Sequence, residues 1–403
     1  MTALAQVVAV GRDEFAATYW GRAPLLSRAA DLGGPAGFTG LLSSAAVDEL
    51  LSRRGLRTPF LRVAKQGKVL PHQRYTGGGG AGAEIADQVH DEQVMRLFAD
   101  GATLVLQGLH RLWPPIVGLA DRLGAELCRP LQVNAYLTPP DSQGFATHYD
   151  THDVFVLQAE GEKRWCVHPP VLPDPLEEQP WGGRADEVAA TAEGEPALDV
   201  VLRPGDALYL PRGWLHSARA QGSRSLHLTV GIRGLTRYAL VEELLTAAAG
   251  DARLRASLPY GKDLTDPETV AAELTATIDA LRSWLTTADP AAIAGRLRER
   301  TWPQARPAPL SPLAQLDFAA ALTPHHEIRL RPGLRWTLER SGDQVVLRLN
   351  GRSLRLPDSC EAALRLALDG RVHRVGELPL PDDADRLVLA RRLLKEGVAV
   401  PGD

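Results

Sequence analysis

His148-Tyr149-Asp150 and, further along, Gly205-Asp206-Ala207-Leu208-Tyr209-Leu210-Pro211-Arg212-Gly213-Trp214-Leu215-His216 decide how this 403-residue chain is read. Two histidines and one carboxylate can occupy one triangular face of an octahedral metal and leave three positions open. If residues 146–157 form a strand, side chains two apart leave the same face, so His148 and Asp150 reach one ion together while Tyr149 points away. The third ligand must then arrive from a second strand. Gly205-Asp206 reads as a turn, residues 207–210 as a short apolar strand, and Pro211-Arg212-Gly213 as a turn that aims His216 back across the sheet. A lone His-x-Asp is common by chance; its pairing with a turn, strand, turn and histidine in that order is much more specific.

Residues 131–232 resemble the double-stranded β-helix (cupin-like) core of the JmjC oxygenases, and within them the ribosomal oxygenase branch of protein hydroxylases. The resemblance rests on His148-Tyr149-Asp150-Thr151-His152-Asp153-Val154-Phe155, on Gln158-Ala159-Glu160-Gly161-Glu162-Lys163-Arg164-Trp165, and on the Gly205 to His216 run. It implies an Fe(II) dioxygenase with His148, Asp150 and His216 as catalytic metal ligands and 2-oxoglutarate as the co-substrate consumed with dioxygen. The far carboxylate of such a co-substrate needs a fixed cation. Lys163 is the candidate, in a strand-like stretch that ends in Trp165-Cys166-Val167; of 45 basic residues only five are lysines (65, 68, 163, 262 and 395).

The same resemblance carries Asn134 and Tyr136 onto positions that hydrogen-bond the co-substrate, both on one face of a strand by the period-two rule. A strand-end asparagine and a core tyrosine are the plainer reading. His227 resembles a family position near the co-substrate, and Thr229 shares its strand parity; both also read as packed barrel residues. His152 shares the parity of His148 and Asp150. A fourth protein ligand would leave too few open positions for co-substrate and dioxygen, so it reads as pocket wall or substrate contact.

Length and composition set the frame. At 403 residues the chain exceeds one ordinary domain, with apolar content for a sizeable core, and no long apolar span or basic-then-apolar leader is present, so it reads as soluble and unexported. Three dispersed cysteines (128, 166 and 360) give neither a disulfide framework nor a zinc module, which suits a reducing cytoplasm that keeps iron ferrous. A net charge of −4 argues against nucleic acid as the main partner. Between the ligand segments lies an acidic insert (Glu177-Glu178, Asp186-Glu187, Glu193 and Glu195) that either attracts a basic polypeptide or is a solvated loop.

Three domains are expected: 1–237, the catalytic barrel with an N-terminal extension; 238–305, helical; and 306–403, a winged-helix-like domain, giving an α+β chain overall. Residues 13–19 and 44–53 read as helices and 58–64 as a strand. The run Gly77-Gly78-Gly79-Gly80-Ala81-Gly82 lacks the Gly-Lys-Ser/Thr ending of a phosphate loop and reads as a mobile loop or lid. Asp266-Pro267 opens a helix with Val270, Leu274, Ile278, Leu281 and Leu285 on one face, and Asp289-Pro290 opens another. The resemblance makes this region a site of homodimerisation. Prolines 303, 307, 309 and 312 mark a linker. Beyond it helices are expected at 313–321, 359–368 and 383–396 and strands at 335–338, 345–349 and 353–356; from residue 325 onward 14 basic and 12 acidic side chains favour a protein-contact role.

By resemblance the substrate is a basic ribosomal protein hydroxylated on histidine or arginine. A peptide-tailoring oxygenase shares the reaction class, and N-demethylation shares the oxidant. A zinc hydrolase would use the same three ligands without needing Lys163, Asn134 and Tyr136, and a catalytically silent cupin would bind a partner alone.

Overall fold

The contacts of the chain divide it into two units, Met1–Gly234 and Leu235–Asp403. The structure, a computed structural model, describes residues 2–34 and 37–402. The helices after residue 237 and the alternating segment that follows them fall in one unit by contacts.

In the first unit the described strands are β1 (Leu25–Ser27), β2 (Leu61–Lys65), β3 (Lys68–Val69), β4 (Thr76–Gly77), β5 (Gln88–Val89), β6 (Thr103–Leu106), β7 (Leu131–Thr138), β8 (Asp153–His168), β9 (Leu198–Leu202), β10 (Ala207–Leu210) and β11 (Leu215–Ile232). One antiparallel sheet runs β1-β10-β8-β11-β7-β6-β2-β3, with β9 added to the far half of β8. The spine is the β8–β11 pair. Residues 153–160 of β8 pair with the end of β11 and with β10, while residues 163–168 pair with the start of β11 and with β9. The change of partner occurs at Gly161, whose φ is +66° and where a Cβ would collide with the Arg224 carbonyl, opposite a register shift between Gln221 and Leu226.

The apolar run Val154-Phe155-Val156-Leu157 is buried throughout, as expected of a strand covered on both faces. Val154 and Val156 pack with Trp165, Val167, Leu208 and Leu210 on one side. Phe155 turns to the other, against Phe15 at 6.0 Å and Tyr209 at 5.2 Å between ring centres. Helix Pro114–Leu127, with prolines in its first turn where no amide partner is needed, buries Ile116, Leu119 and Leu123 as one stripe and packs on β7. Asp206, buried in the turn before β10, accepts from the amides of Ala29 (2.9 Å) and Arg203 (3.0 Å) and pairs with Arg28 (2.7 Å). That fastens β1 to the edge of the sheet.

Several local readings shift. Residues 12–19 are an α-turn, Arg12–Glu14, running into a π-turn, Phe15–Tyr19, and the strand read at 58–64 lies at Leu61–Lys65. The glycine run enters a two-stranded ladder through β4 rather than lying wholly in a loop. The acidic insert holds helix Ala185–Ala192 and then β9.

The second unit has its own core. Helix Arg237–Ala248 is capped by Thr236, Pro267–Leu285 by Asp266 (2.8 Å to the Thr269 amide) and Pro290–Thr301 by Asp289. Strands β12 (Glu327–Leu330), β13 (Trp336–Ser341), β14 (Gln344–Leu349), β15 (Arg352–Pro357), β16 (Val372–Arg374) and β17 (Ala399–Pro401) form two three-stranded sheets, β16-β12-β17 and β13-β14-β15. They pack with helices Pro312–Ala320, Glu361–Ala367 and Asp383–Lys395 around Leu347, Leu364, Val375 and Leu393. The sheet β16-β12-β17 was not foreseen: its strands are three or four residues long, too short to show alternation.

Gly161→Ala forces a Cβ into the Arg224 carbonyl at a left-handed backbone position. It is expected to lower stability by at least about 2 kcal/mol, read from the urea unfolding midpoint.

Candidate functional site

Strand β8 starts at Asp153, so residues 146–152 are not the strand expected of them. They form an irregular segment joined to β11 by one bridge, in which the His148 amide donates to the His216 carbonyl (3.2 Å) and the His216 amide donates back (2.8 Å). The turn before β11 takes the other backbone groups: Gly213 N donates to the Asp150 carbonyl (2.9 Å) and Arg212 N to the Asp153 carboxylate (2.9 Å). Gly213, at φ +85°, has no room for a Cβ beside the Leu172 carbonyl. The alternation survives without the ladder. Tyr149 is buried on the opposite side, its hydroxyl donating to the Gln179 carbonyl (2.8 Å).

His148, Asp150 and His216 each offer a ligand atom within 4.8 Å of the others, with His216 Nε2 3.7 Å from Asp150 Oδ2. Both imidazoles are oriented by the backbone: Nδ1 of His148 faces the Ala146 carbonyl at 2.8 Å and Nδ1 of His216 faces the Trp214 carbonyl at 3.0 Å. A carbonyl only accepts, so Nδ1 carries the hydrogen and Nε2 keeps its lone pair for a metal. Burial and the repulsion of His148 lower His216 to about 4, against the pull of Asp150. Burial alone would raise the Asp150 carboxyl, but the imidazoles of His216, His152 and His148 outweigh it and hold the group below the usual range. A divalent ion requires deprotonated ligands, and the lowered His216 and ionised Asp150 meet that need.

The three side chains open on a cavity of about 600 Å³, counting its open mouth, that also receives Tyr136, Lys163, His227 and Thr229. Val154, Val156 and Leu210 form its apolar wall. Lys163 is buried, and burial without a compensating carboxylate lowers its ammonium to about 7. Its one hydrogen bond among the described residues goes to Thr138 Oγ1 (3.0 Å), which also accepts from Thr103 (3.3 Å). His227 stacks on Tyr136 at 5.0 Å, and burial, then Lys163, keeps its imidazole neutral. Burial, then the charge of Asp150, pushes the Tyr136 phenol up to about 12. Two residues lining this cavity each bury a polar atom, Trp165 Nε1 and His227 Nδ1, that has no hydrogen-bond partner among the described residues. A buried cation and unpaired polar atoms beside a three-ligand cluster suit a metal bound together with an anionic small molecule.

Two sequence readings do not reach the cavity. Asn134 does not line it; its amide oxygen accepts from Gly108 N (3.1 Å), because the loop before helix Leu109–Leu112 lies over that rung of β7. The His152 ring lies close over the Gly231 backbone instead of forming the pocket wall. Other contributors went unnoticed. Thr138 has the strand parity of Tyr136 and Trp165 that of Lys163, so both were findable. Phe145 and Trp181, whose rings lie 6.1 and 6.3 Å from that of His148, come from an irregular segment and from the start of a one-turn 3-10 helix, Trp181–Arg184, both too short for a periodic signal.

Residues 114–240 match the family model described as JmjC domain. The bifunctional lysine-specific demethylase and histidyl-hydroxylase NO66 of Drosophila persimilis is 41% identical over 149 residues, 33% of this chain and 21% of that protein. Ribosomal oxygenase 1 of Gallus gallus is 33% identical over 254 residues, 62% of this chain and 40% of that one. The chain thus spans between about a fifth and two fifths of the length of these relatives. Among solved structures, the Escherichia coli ribosomal oxygenase YcfD superposes with a TM-score of 0.55 at 18% identity, covering 97% of this chain and 98% of that one. A complex of YcfD with cobalt and 2-oxoglutarate gives 0.52 at 17% identity, covering 98% and 99%. The fold is therefore that of the JmjC and cupin proteins.

Thr138→Val removes the acceptor that the buried ammonium uses. Because Lys163 is charged in the fold below about pH 7, the cost is expected to be about 1–3 kcal/mol at pH 6 and smaller at pH 9, compared through urea midpoints at both values.

Proposed function

We propose that this chain, which carries a JmjC domain, is an Fe(II)- and 2-oxoglutarate-dependent oxygenase that hydroxylates a histidine or arginine side chain of a ribosomal protein. One observation carries the reading: a buried ammonium, Lys163, with no carboxylate beside it among the described residues, shares a cavity with His148, Asp150 and His216. Bound together, ferrous iron, 2-oxoglutarate and dioxygen supply C–H hydroxylation, one oxygen atom entering the substrate and the other the succinate left when carbon dioxide departs.

The chain's own residues do the rest. His148 and His216 offer Nε2, and Asp150 offers the charge that favours a divalent ion. Lys163 pairs with the far carboxylate of the co-substrate, with Tyr136, Thr229 and His227 beside it. Tyr136 stays a phenol and His227 stays neutral, so neither competes for that charge. Val154, Val156 and Leu210 keep water from the reacting carbon. The polypeptide enters beside His148, where Phe145 and half-exposed Trp181 offer planar surfaces to an imidazole or guanidinium.

The names of the relatives point to ribosomal and histidyl substrates, and the acidic insert suits a basic partner. Residues 238–305 form a helical region whose Leu274, Ile278 and Leu285 lie exposed, a surface we assign to pairing in a homodimer. Residues 306–403 are read as a winged-helix-like module that contacts protein rather than nucleic acid. Among the described residues no helix is long and apolar enough to cross a membrane. Free cysteines agree with a cytoplasmic setting.

The test is anaerobic protein reconstituted with Fe(II) and mixed with 2-oxoglutarate. A visible charge-transfer band is expected, followed by succinate on admitting air, both lost in His148→Ala. Bound iron that gives neither band nor succinate would sink the reading. A second outcome follows from Lys163. Pairing with a carboxylate raises its pKa from about 7, so binding takes up a proton above that pH. Affinity for 2-oxoglutarate should fall between pH 7 and 9, by up to about tenfold per unit, in calorimetric titrations. A flat profile would remove Lys163 from the co-substrate site.

A further inference from the structure

The floor of the cavity is built from three successive rungs of the β8–β11 ladder. Val167 lies opposite His216, Trp165 opposite Ala218, and Lys163 opposite Ala220. Directly opposed residues in an antiparallel pair share a face, and residues two apart share it as well. His216, Trp165 and Lys163 therefore stand in a row, with Trp165 on the middle rung. Two residues of strand advance about 6.6–6.8 Å, so a molecule reaching from a metal on His216 to the ammonium of Lys163 must pass over Trp165. The alanines at 218 and 220 matter for the same reason: facing the two large side chains with methyl groups leaves the space above them open.

Trp165 is 95% buried, its ring centre 6.0 Å from that of His216 and 5.4 Å, edge to face, from that of His227. Trp165 lines the cavity, and its indole Nε1, itself buried, is a donor with no acceptor among the described residues. An indole nitrogen can only donate, and a buried donor without a partner is costly. A molecule that fills the cavity can bring the acceptor that the fold leaves out. The indole lies nearer to His227, which senses the charge of Lys163, than to the metal ligand His216.

We propose that the Trp165 indole N–H donates to the far carboxylate of 2-oxoglutarate, making it, with Lys163, a two-point clamp on that group. The clamp rests on the oxygenase reading above and adds a requirement to it. The ammonium supplies charge, and the indole supplies direction, since its single hydrogen lies in the ring plane and fixes how the carboxylate turns. The selected ligand is a 2-oxo acid of dicarboxylate length.

Trp165→Phe tests this, because it removes the N–H and keeps a ring against His216 and His227. Calorimetry on the full chain loaded with redox-inert Zn(II) compares 2-oxoglutarate with 2-oxopentanoate, which has the same chain length but lacks the far carboxylate. The expected result is about ten- to a hundredfold weaker 2-oxoglutarate binding in the variant, with 2-oxopentanoate bound equally by both proteins. Equal 2-oxoglutarate affinity in the two proteins, or an equal loss for both ligands, would overturn the clamp.

A second readout needs no folded variant beyond peak assignment. In 15N-tryptophan-labelled Zn(II) protein the indole resonance absent from Trp165→Phe should move further on adding 2-oxoglutarate than on adding 2-oxopentanoate; equal shifts with the two ligands, or none, would refute the proposal. Lys163→Ala separates the two levels. If wild type binds 2-oxoglutarate and depends on Lys163 but not on Trp165, the clamp alone fails, whereas a wild type that binds no 2-oxoglutarate loses the oxygenase reading as well.

Discussion

The reciprocal pair of backbone hydrogen bonds between His148 and His216 is the constraint on which the site depends. It fixes the separation of two side chains that are distant in sequence, and it does so through the backbone, which rotamer changes cannot undo. The remaining bonds of the segment serve the same end. Gly213 N holds the Asp150 carbonyl, Arg212 N holds the Asp153 carboxylate, and two backbone carbonyls hold the Nδ1 atoms of the imidazoles. Three possible ligands are thereby oriented before any ion arrives, so little conformational entropy is left for binding to remove.

Electrostatically the cavity has two unlike ends. At one, a carboxylate sits among imidazoles and remains ionised despite burial. At the other, an ammonium held by Thr138, which Thr103 backs in turn, has no countercharge among the described residues, and burial brings it to about 7. An arrangement with an ionised group held at a cost is common at binding sites and rare in cores, where the same volume would be filled by leucine. The bends at Gly161 and across Gln221 to Leu226 let one pair of strands serve two partner strands, and so bring both ends into one pocket.

Much of this was legible in the sequence because it rests on short-range rules. The resemblance singled out Lys163 and Tyr136, both of which line the cavity, and the turn signals at Gly205 and Gly213 bracketed β10 ahead of His216. The two-residue period misled where the chain leaves the ladder. Residues 146–152 alternate like a strand without being one, and for His152 parity alone gave the wrong wall. Asn134 shares a strand face with Tyr136, yet the approach of Gly108, a tertiary event, took its oxygen. Phe145 and Trp181 come up to His148 from an irregular segment and a single 3-10 turn, too short for any periodicity to be read.

Tyr149 gives the site one more property. It stands between His148 and Asp150, is buried on the opposite side, and donates to the Gln179 carbonyl in the acidic insert. The residues that flank it face the cavity, so this tripeptide is a lever with the ligands on one arm and the insert on the other. Whatever steadies the ligands must steady the insert by the same free energy, and pulling the insert away must loosen the ligands in equal measure. The wall around the entrance is therefore not independent of its centre: a macromolecule that seats on the insert and an ion that seats on the histidines each act on the other's affinity without touching it.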